Sequence, residues 1–232
     1  MKDGYETLAP IAMPGIHERF VEWLVARLAP GVTILDVGAG RGAMCQAMHR
    51  RGFGVAACDR DAAGFAYPLV EFRAADITER LPWPDGSFDV CLAVEVTEHI
   101  HDHGRFFGEC ARVLRPGGRL YVTTPNILSL KSRLSFLLIG YPYSFRSLDL
   151  GRDDGLQHVA AYSLGQYRYV AHRAGFSLTA FDVDKLQNTS IALLPLWPIL
   201  WFFGYTTPRT RGEHNCLRLL LGRVLFMEYT KR

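Results

Sequence analysis

No cysteine pair in the chain is spaced Cys-x-x-Cys, and the count of five is odd. Cys58 and Cys91 lie inside apolar runs, so the cysteines read as small buried hydrophobes of a reducing compartment and not as a disulfide framework. Long apolar runs are also missing. The longest, Ile191 to Gly204, is interrupted by Pro195 and Pro198 and falls short of the ~20 residues a spanning helix needs, although it suffices to touch a membrane face. The N-terminal Met1 to Glu6 carries no apolar signal core, so the expected location is the cytoplasm, with peripheral contact at the inner face of a membrane as a further expectation. There is no internal repeat, no low-complexity linker and no dense Lys/Arg run with interleaved aromatics. With a net charge of only +3, nucleic acid is not the expected partner.

What is present is a chain of 232 residues, 49% hydrophobic and 21% charged. That is enough apolar material for a sizeable core and suits one domain over 1–232. Ile16, Phe20, Leu24 and Leu28 recur at helical spacing and predict a helix from about Gly15 to Leu28, stopped by Pro30-Gly31. Short apolar runs then alternate with helical ones. Strands are predicted at Val32–Val37, Phe53–Cys58, Val70–Ala74, Phe88–Val94 and Arg119–Thr124, with helices at Gly42–Arg51 and Asp102–Leu114. Arg115-Pro116-Gly117-Gly118 reads as the turn before the fifth strand. Beyond Pro125 come a helical Ile127–Ile139, a loop-like Tyr141–Gly155, a helix Ser163–Ala174, and strands Phe176–Val183 and Arg223–Thr230. Such alternation predicts an α/β, Rossmann-like, doubly wound sheet with helices on both faces. Asp36, Asp59, Asp76 and Glu95 fall at or just past successive strand ends, where such sheets bind ligands.

Glycines 38, 40 and 42 follow the first strand and open a helix. Lacking Cβ atoms, they let the chain turn tightly and bring helix N–H groups close to a ligand. Gly38-x-Gly40-x-x-Ala43 also satisfies the dinucleotide fingerprint, with Asp59 placed for a ribose hydroxyl, so an NAD(P)-dependent oxidoreductase is the competing reading. Asp36 weighs against it, because a carboxylate there suits a cationic amino acid moiety and repels a pyrophosphate.

Three segments carry a resemblance. Ile34-Leu35-Asp36-Val37-Gly38-Ala39-Gly40-Arg41-Gly42 is similar to the first motif of class I S-adenosylmethionine (SAM) methyltransferases. Leu81 to Val90 is similar to their loop into the fourth strand, and Arg112 to Leu120 to the segment before their fifth. The resemblance implies a seven-stranded sheet, mostly parallel with the last strand antiparallel, and SAM as cofactor. It places Gly38 and Gly40 under the methionine part, Asp59 on both ribose hydroxyls, Asp76 and Ile77 beside the adenine, and Glu95 near the transferred methyl.

Glu95-Val96-Thr97-Glu98-His99 has two readings. Two carboxylates and an imidazole, with His158 as a fourth ligand, suit a divalent metal such as Mg²⁺. Alternatively, Glu98 and His99 orient the substrate, and His99 is the general base for a hydroxyl acceptor with no metal at all. The pattern, with Thr124-Pro125-Asn126 and the later His158, resembles ubiquinone-biosynthesis O-methyltransferases and small-RNA terminal 2′-O-methyltransferases, so an RNA 2′-O-methyltransferase is a further alternative. His101 and His103 look like solvated residues at a helix start.

Insertions at about 127–157 and 187–221 are apolar and aromatic, with Lys131, Arg133, Arg146, Arg209 and Arg211 interspersed. They are expected either to form a lid over a small-molecule or lipid-linked acceptor or to serve as an ordinary hydrophobic cap or dimer contact.

Overall fold

A computed structural model describes residues 6–152, 154–206 and 213–232. Arg209 and Arg211, together with the first five residues, lie outside the described residues. In chain order the elements are α1 (Ile16–Val25), β1 (Thr33–Val37), α2 (Ala43–His49), β2 (Gly54–Asp59), β3 (Glu71–Ala74), β4 (Phe88–Val94), α3 (His103–Val113), β5 (Leu114–Pro125), α4 (Leu130–Ile139), α5 (Leu164–Arg173), β6 (Phe176–Val183), α6 (Asn188–Ala192), α7 (Trp197–Thr206), α8 (Leu217–Leu221) and β7 (Val224–Lys231).

The seven strands form one sheet in the order β3-β2-β1-β4-β5-β7-β6. β1 pairs in parallel with β2 and β4, and β7 runs antiparallel to both β5 and β6. β1 and β4 read as continuous apolar runs because both faces are covered. Successive residues enter opposite cores. Leu35, Val37, Cys91 and Ala93 pack with Phe106 and Phe107 of α3 and Tyr167 of α5, whereas Ile34, Val90 and Leu92 pack with Ile16, Phe20 and Leu24 of α1. The period of two along a strand sets this alternation. β3, at the sheet edge, is largely exposed.

One expectation changes in detail. Arg115–Gly118 was expected to be a turn ahead of the fifth strand, but strand pairing already begins at Leu114. Leu114 pairs with Phe88 and Arg119 with Val90, so the four residues between them bulge opposite Asp89. The apolar stretch from Ile191 is broken, in keeping with its two prolines. Pro195 and Pro198 divide it into α6, a 3₁₀ turn Leu194–Leu196 and α7, and no described helix is long and apolar enough to cross a membrane.

Asn126 holds the far end of β5 to the last hairpin. Its amide nitrogen donates to the carbonyls of Leu219 (2.7 Å) and Gly222 (2.9 Å), and its side-chain oxygen accepts from the Leu128 N–H at 3.0 Å. The residue is buried. Asn126→Ala leaves those carbonyls without a partner, at about 1–3 kcal/mol for each buried group. The variant is therefore expected to unfold about 2–4 kcal/mol more easily, read as a lower denaturant midpoint at constant slope.

Candidate functional site

The carboxyl ends of β1, β2 and β4 converge on the glycine turn. Gly38, Gly40 and Gly42 all have positive φ, at 78°, 52° and 88°. A Cβ on Gly38 would come within 2.7 Å of Val96 Cγ2, so the turn lies directly against the chain leaving β4. Asp59 holds the turn from beneath. Its Oδ2 accepts from Gly40 N–H at 2.7 Å and its Oδ1 from Asp61 N–H at 2.9 Å. Each oxygen keeps a second lone pair for a ligand hydroxyl. The N-terminal segment crosses the same turn: Leu8 N–H donates to the Gln46 side chain at 2.8 Å, and a Cβ on Gly40 would sit 3.1 Å from Ile11 Cδ1. No periodicity or motif in residues 6–14 announces that crossing.

Asp36 is buried beneath the loop, accepting from the Cys45 thiol at 3.1 Å. Burial raises its pKa to about 6; the Cys45 hydrogen bond opposes the rise and nearby Asp59 adds to it. Asp76 is exposed, and one oxygen is taken by Thr78 N–H (2.8 Å) and Oγ1 (2.6 Å); Ile77 beside it packs on the core under the sheet.

Past β4 the chain turns sharply. Glu95 is one of two described non-glycine residues with positive φ, at 55°, a conformation held in place by its surroundings. Its N–H donates to Thr123 Oγ1 at 3.0 Å, and that hydroxyl donates back to Glu95 Oε1 at 3.0 Å. Burial lifts its pKa to about 7, against the Thr123 hydrogen bond. A 3₁₀ turn, Thr97–His99, follows. Its Glu98 is fully buried, with Oε2 3.3 Å from Thr124 Oγ1. Glu98 Oε1 has no hydrogen-bond partner among the described residues. Burial drives its pKa up, and Glu95 adds to the rise.

A later segment, the chain just ahead of α5, closes over this turn. Val159 and Ala160 N–H groups donate to the Glu98 carbonyl at 2.8 and 3.1 Å, and His99 Nδ1 lies 3.0 Å from the Gln157 carbonyl. That carbonyl can only accept, so Nδ1 carries the proton and the Nε2 lone pair is free when the ring is neutral. The same segment sets His158 against His99, ring centroids 4.8 Å apart. His158 Nδ1 is buried without a partner among the described residues. Burial lowers the pKa of both imidazoles, His158 to about 4 with His99 adding to the shift. Ligand atoms of Glu98, His99 and His158 all lie within 4.8 Å of one another. Glu95 is not in that group; Thr123 holds it aside.

Sequence reasoning missed the layer behind this cluster. Tyr167 OH donates to Thr97 Oγ1 at 3.1 Å and lies 3.4 Å from Thr124 Oγ1, the group that meets Glu98. His103, expected to be solvated, is buried and stacks on Tyr162 at 4.2 Å. The helix start it occupies faces α5, which composition does not reveal. An open hollow of about 590 Å³ on that side, lined by His101, His103, Tyr162 and Arg173 among others, contains none of the strand-end acids.

A doubly wound sheet with a glycine turn after β1 and an acid at the end of β2 fits a protein built to hold an adenosyl cofactor. The methyltransferase-domain family matches residues 35–122. A ubiquinone biosynthesis O-methyltransferase of Caulobacter vibrioides is 38% identical over 56% of this chain and 54% of that protein. A protein of Mycolicibacterium smegmatis named a probable S-adenosylmethionine-dependent methyltransferase is 33% identical over 75% of this chain and 67% of that one. The crystal structure of an S-adenosylmethionine-dependent methyltransferase from Mesorhizobium loti has the same fold, with a TM-score of 0.58 at 18% identity, covering 91% of this chain and 98% of that one. The chain therefore belongs to the class I S-adenosylmethionine-dependent methyltransferases, whose cofactor is S-adenosylmethionine. It spans about half the length of the ubiquinone-biosynthesis relatives it matches. The oxidoreductase reading of the glycine turn is set aside by this membership.

Proposed function

We propose that the protein transfers the methyl group of S-adenosylmethionine to a hydroxyl oxygen of a small-molecule or lipid-linked acceptor. The observation that carries this reading is the Glu98–His99–His158 cluster directly past β4, beside the glycine turn. Gly38 and Gly40 lie under the methionine part of the cofactor, with Asp36 below as counter-charge to its amino group. Asp59 accepts from both ribose hydroxyls, Asp76 and Ile77 flank the adenine, and Glu95 lines the wall near the methyl. The described parts of the segments 127–157 and 187–221 cover the acceptor.

Methyl transfer from a sulfonium is an in-line displacement, so the acceptor oxygen is held opposite the departing sulfur, ~3 Å from the methyl. The oxygen must shed its proton, and His99 Nε2 takes it. The Gln157 carbonyl orients the ring through Nδ1–H, and burial keeps the imidazole neutral and able to accept. Glu98 borders the same space with its unpartnered Oε1.

A second reading is favoured by two orphaned atoms, Glu98 Oε1 and His158 Nδ1. Buried polar groups without partners ordinarily have an unseen one. A carboxylate and two neutral imidazoles fit a divalent cation such as Mg²⁺ or Zn²⁺. When bound there, the cation lowers the pKa of an acceptor hydroxyl. Glu98, His99 and His158 are the side chains that would hold it.

The test of oxygen transfer uses methyl-labelled S-adenosylmethionine with paired lipophilic phenol and aniline acceptors. Label is expected on the phenol oxygen. Label on the aniline alone, or on neither acceptor across a range of chain lengths, rejects the proposal. A structured RNA included as a third acceptor is expected to stay unlabelled.

A further inference from the structure

We infer that the exposed halves of α4 and α7 form a docking surface for an anionic phospholipid bilayer. This inference stands whichever acceptor is methylated.

Both helices are anchored at one end and bare at the other. Arg133 of α4 donates to the Asn215 side chain (2.7 Å) and the His214 carbonyl (2.6 Å), while Asn215 donates to the Leu200 carbonyl of α7 at 2.6 Å and accepts from Trp197 Nε1 at 3.2 Å. Leu130 packs in one small cluster with Trp197 and Leu200. Beyond these anchors, Phe136, Leu137, Leu138 and Ile139 of α4 are 59–79% exposed, and Trp201, Phe202, Phe203 and Tyr205 of α7 are 52–76% exposed.

The distribution around each helix identifies the occupant. A helix meeting a second protein surface buries one apolar stripe and presents charge on its other side. Here consecutive residues are apolar and exposed, and neighbours on a helix point ~100° apart. The apolar surface therefore runs around most of the circumference. α7, Trp-Pro-Ile-Leu-Trp-Phe-Phe-Gly-Tyr-Thr, contains no charged residue at all. An element surrounded by apolar side chains suits immersion and not one-sided packing. At ~1.5 Å per residue, α7 is about 15 Å long, half the ~30 Å of a hydrocarbon core, so it lies in the interface without spanning. Trp201 and Tyr205 stack at 5.4 Å, and such rings favour the boundary between headgroups and acyl chains.

Charge selects the lipid. The sequence has no Asp or Glu from 110 to 148, nor from 185 to 212, while these stretches contain Lys131, Arg146 and Lys185 among other cations. Lys131 Nζ rests 3.3 Å above the Tyr143 ring centroid, placing a cation beside the partly exposed Tyr143 that follows α4. Cations around an apolar helix are drawn to anionic headgroups.

The test is co-sedimentation of the full chain with vesicles of phosphatidylglycerol and phosphatidylcholine, beside vesicles of phosphatidylcholine alone. The protein is expected to pellet with the anionic vesicles, less so as salt rises. Trp201→Glu/Phe203→Glu and, separately, Leu137→Glu/Leu138→Glu are each expected to cut the bound fraction at least about tenfold, with an unchanged unfolding midpoint showing that the variants fold. No pelleting of the parent protein, equal pelleting on both vesicle types, or variants that pellet like the parent would overturn the inference. So would a parent that stays off vesicles and elutes as a dimer which the substitutions convert to a monomer.

Discussion

Asp59→Ala is expected to weaken binding of S-adenosylhomocysteine (SAH) about 100-fold or more, measured by calorimetry. A carboxylate that accepts from two ribose hydroxyls makes two charge-assisted hydrogen bonds, each worth about 1.5–3 kcal/mol. Even the lower sum corresponds to about two orders of magnitude in affinity. The same substitution removes the acceptors of Gly40 and Asp61 N–H, so the glycine turn loses its support from β2. Asp59→Asn retains an acceptor oxygen and is expected to fall between the parent and the alanine variant. Parent-like affinity in Asp59→Ala would remove the ribose assignment. The neighbouring acid adds a pH dependence. Burial raises the pKa of Asp36 to about 6, so the carboxyl gains its proton as pH falls through about 6 and loses its attraction for the ligand's ammonium group. SAH affinity is therefore expected to drop between pH 7 and pH 5, and Asp36→Asn to flatten that profile at the weaker level. The linked effect on folding has the opposite sense: because the folded-state pKa lies above the unfolded one, ionising Asp36 costs stability as pH rises from about 4 to about 6.

His99→Ala is expected to slow methyl transfer about 100- to 10,000-fold, the range for losing a positioned proton acceptor, while SAH affinity stays at the parent value. His99 is fixed by the Gln157 carbonyl and the His158 ring. A parallel fall in cofactor affinity would mean that the substitution disrupted the site and not the chemistry. His158→Ala separates the two readings of the cluster. If His99 Nε2 takes the proton directly, His158 supports only its packing, and the variant keeps most of the rate in the presence of EDTA as in its absence. If a divalent cation sits among Glu98, His99 and His158, His158→Ala is as damaging as His99→Ala, EDTA abolishes turnover, and elemental analysis of the parent finds the metal. Glu98→Gln is then equally inactive, since an uncharged amide is a poor partner for a divalent cation.

Much of the fold was legible because its signals are local. A strand buried on both faces announces itself as a short apolar run, which is why Phe88–Val94 is matched residue for residue; the edge strand Phe176–Val183 is matched as closely, between the end of one helix and Asp184. The glycine turn was legible for a related reason: three positive-φ residues in five positions need glycine wherever they occur. The strand-end acids could be placed because each lies within two residues of the end of its own strand. His103 was misjudged because a polar residue at a helix start is solvated unless another element covers it, and α5 does so from some sixty residues downstream.

The amino-acid order by itself determined the alternation of strand and helix, the glycine turn and the line of acids along one rim, since these depend on side-chain period and backbone freedom within a few residues. Only the tertiary structure decided that Val159 and Ala160 bond to the Glu98 carbonyl and carry His158 to His99, that Thr123 draws Glu95 out of that cluster, and that Asn126 closes on Leu219 and Gly222. Those contacts join positions 28 to 96 residues apart. Their partners are chosen by sheet order and by how the insertions fold back over the strand ends, neither of which leaves a periodic trace along the chain.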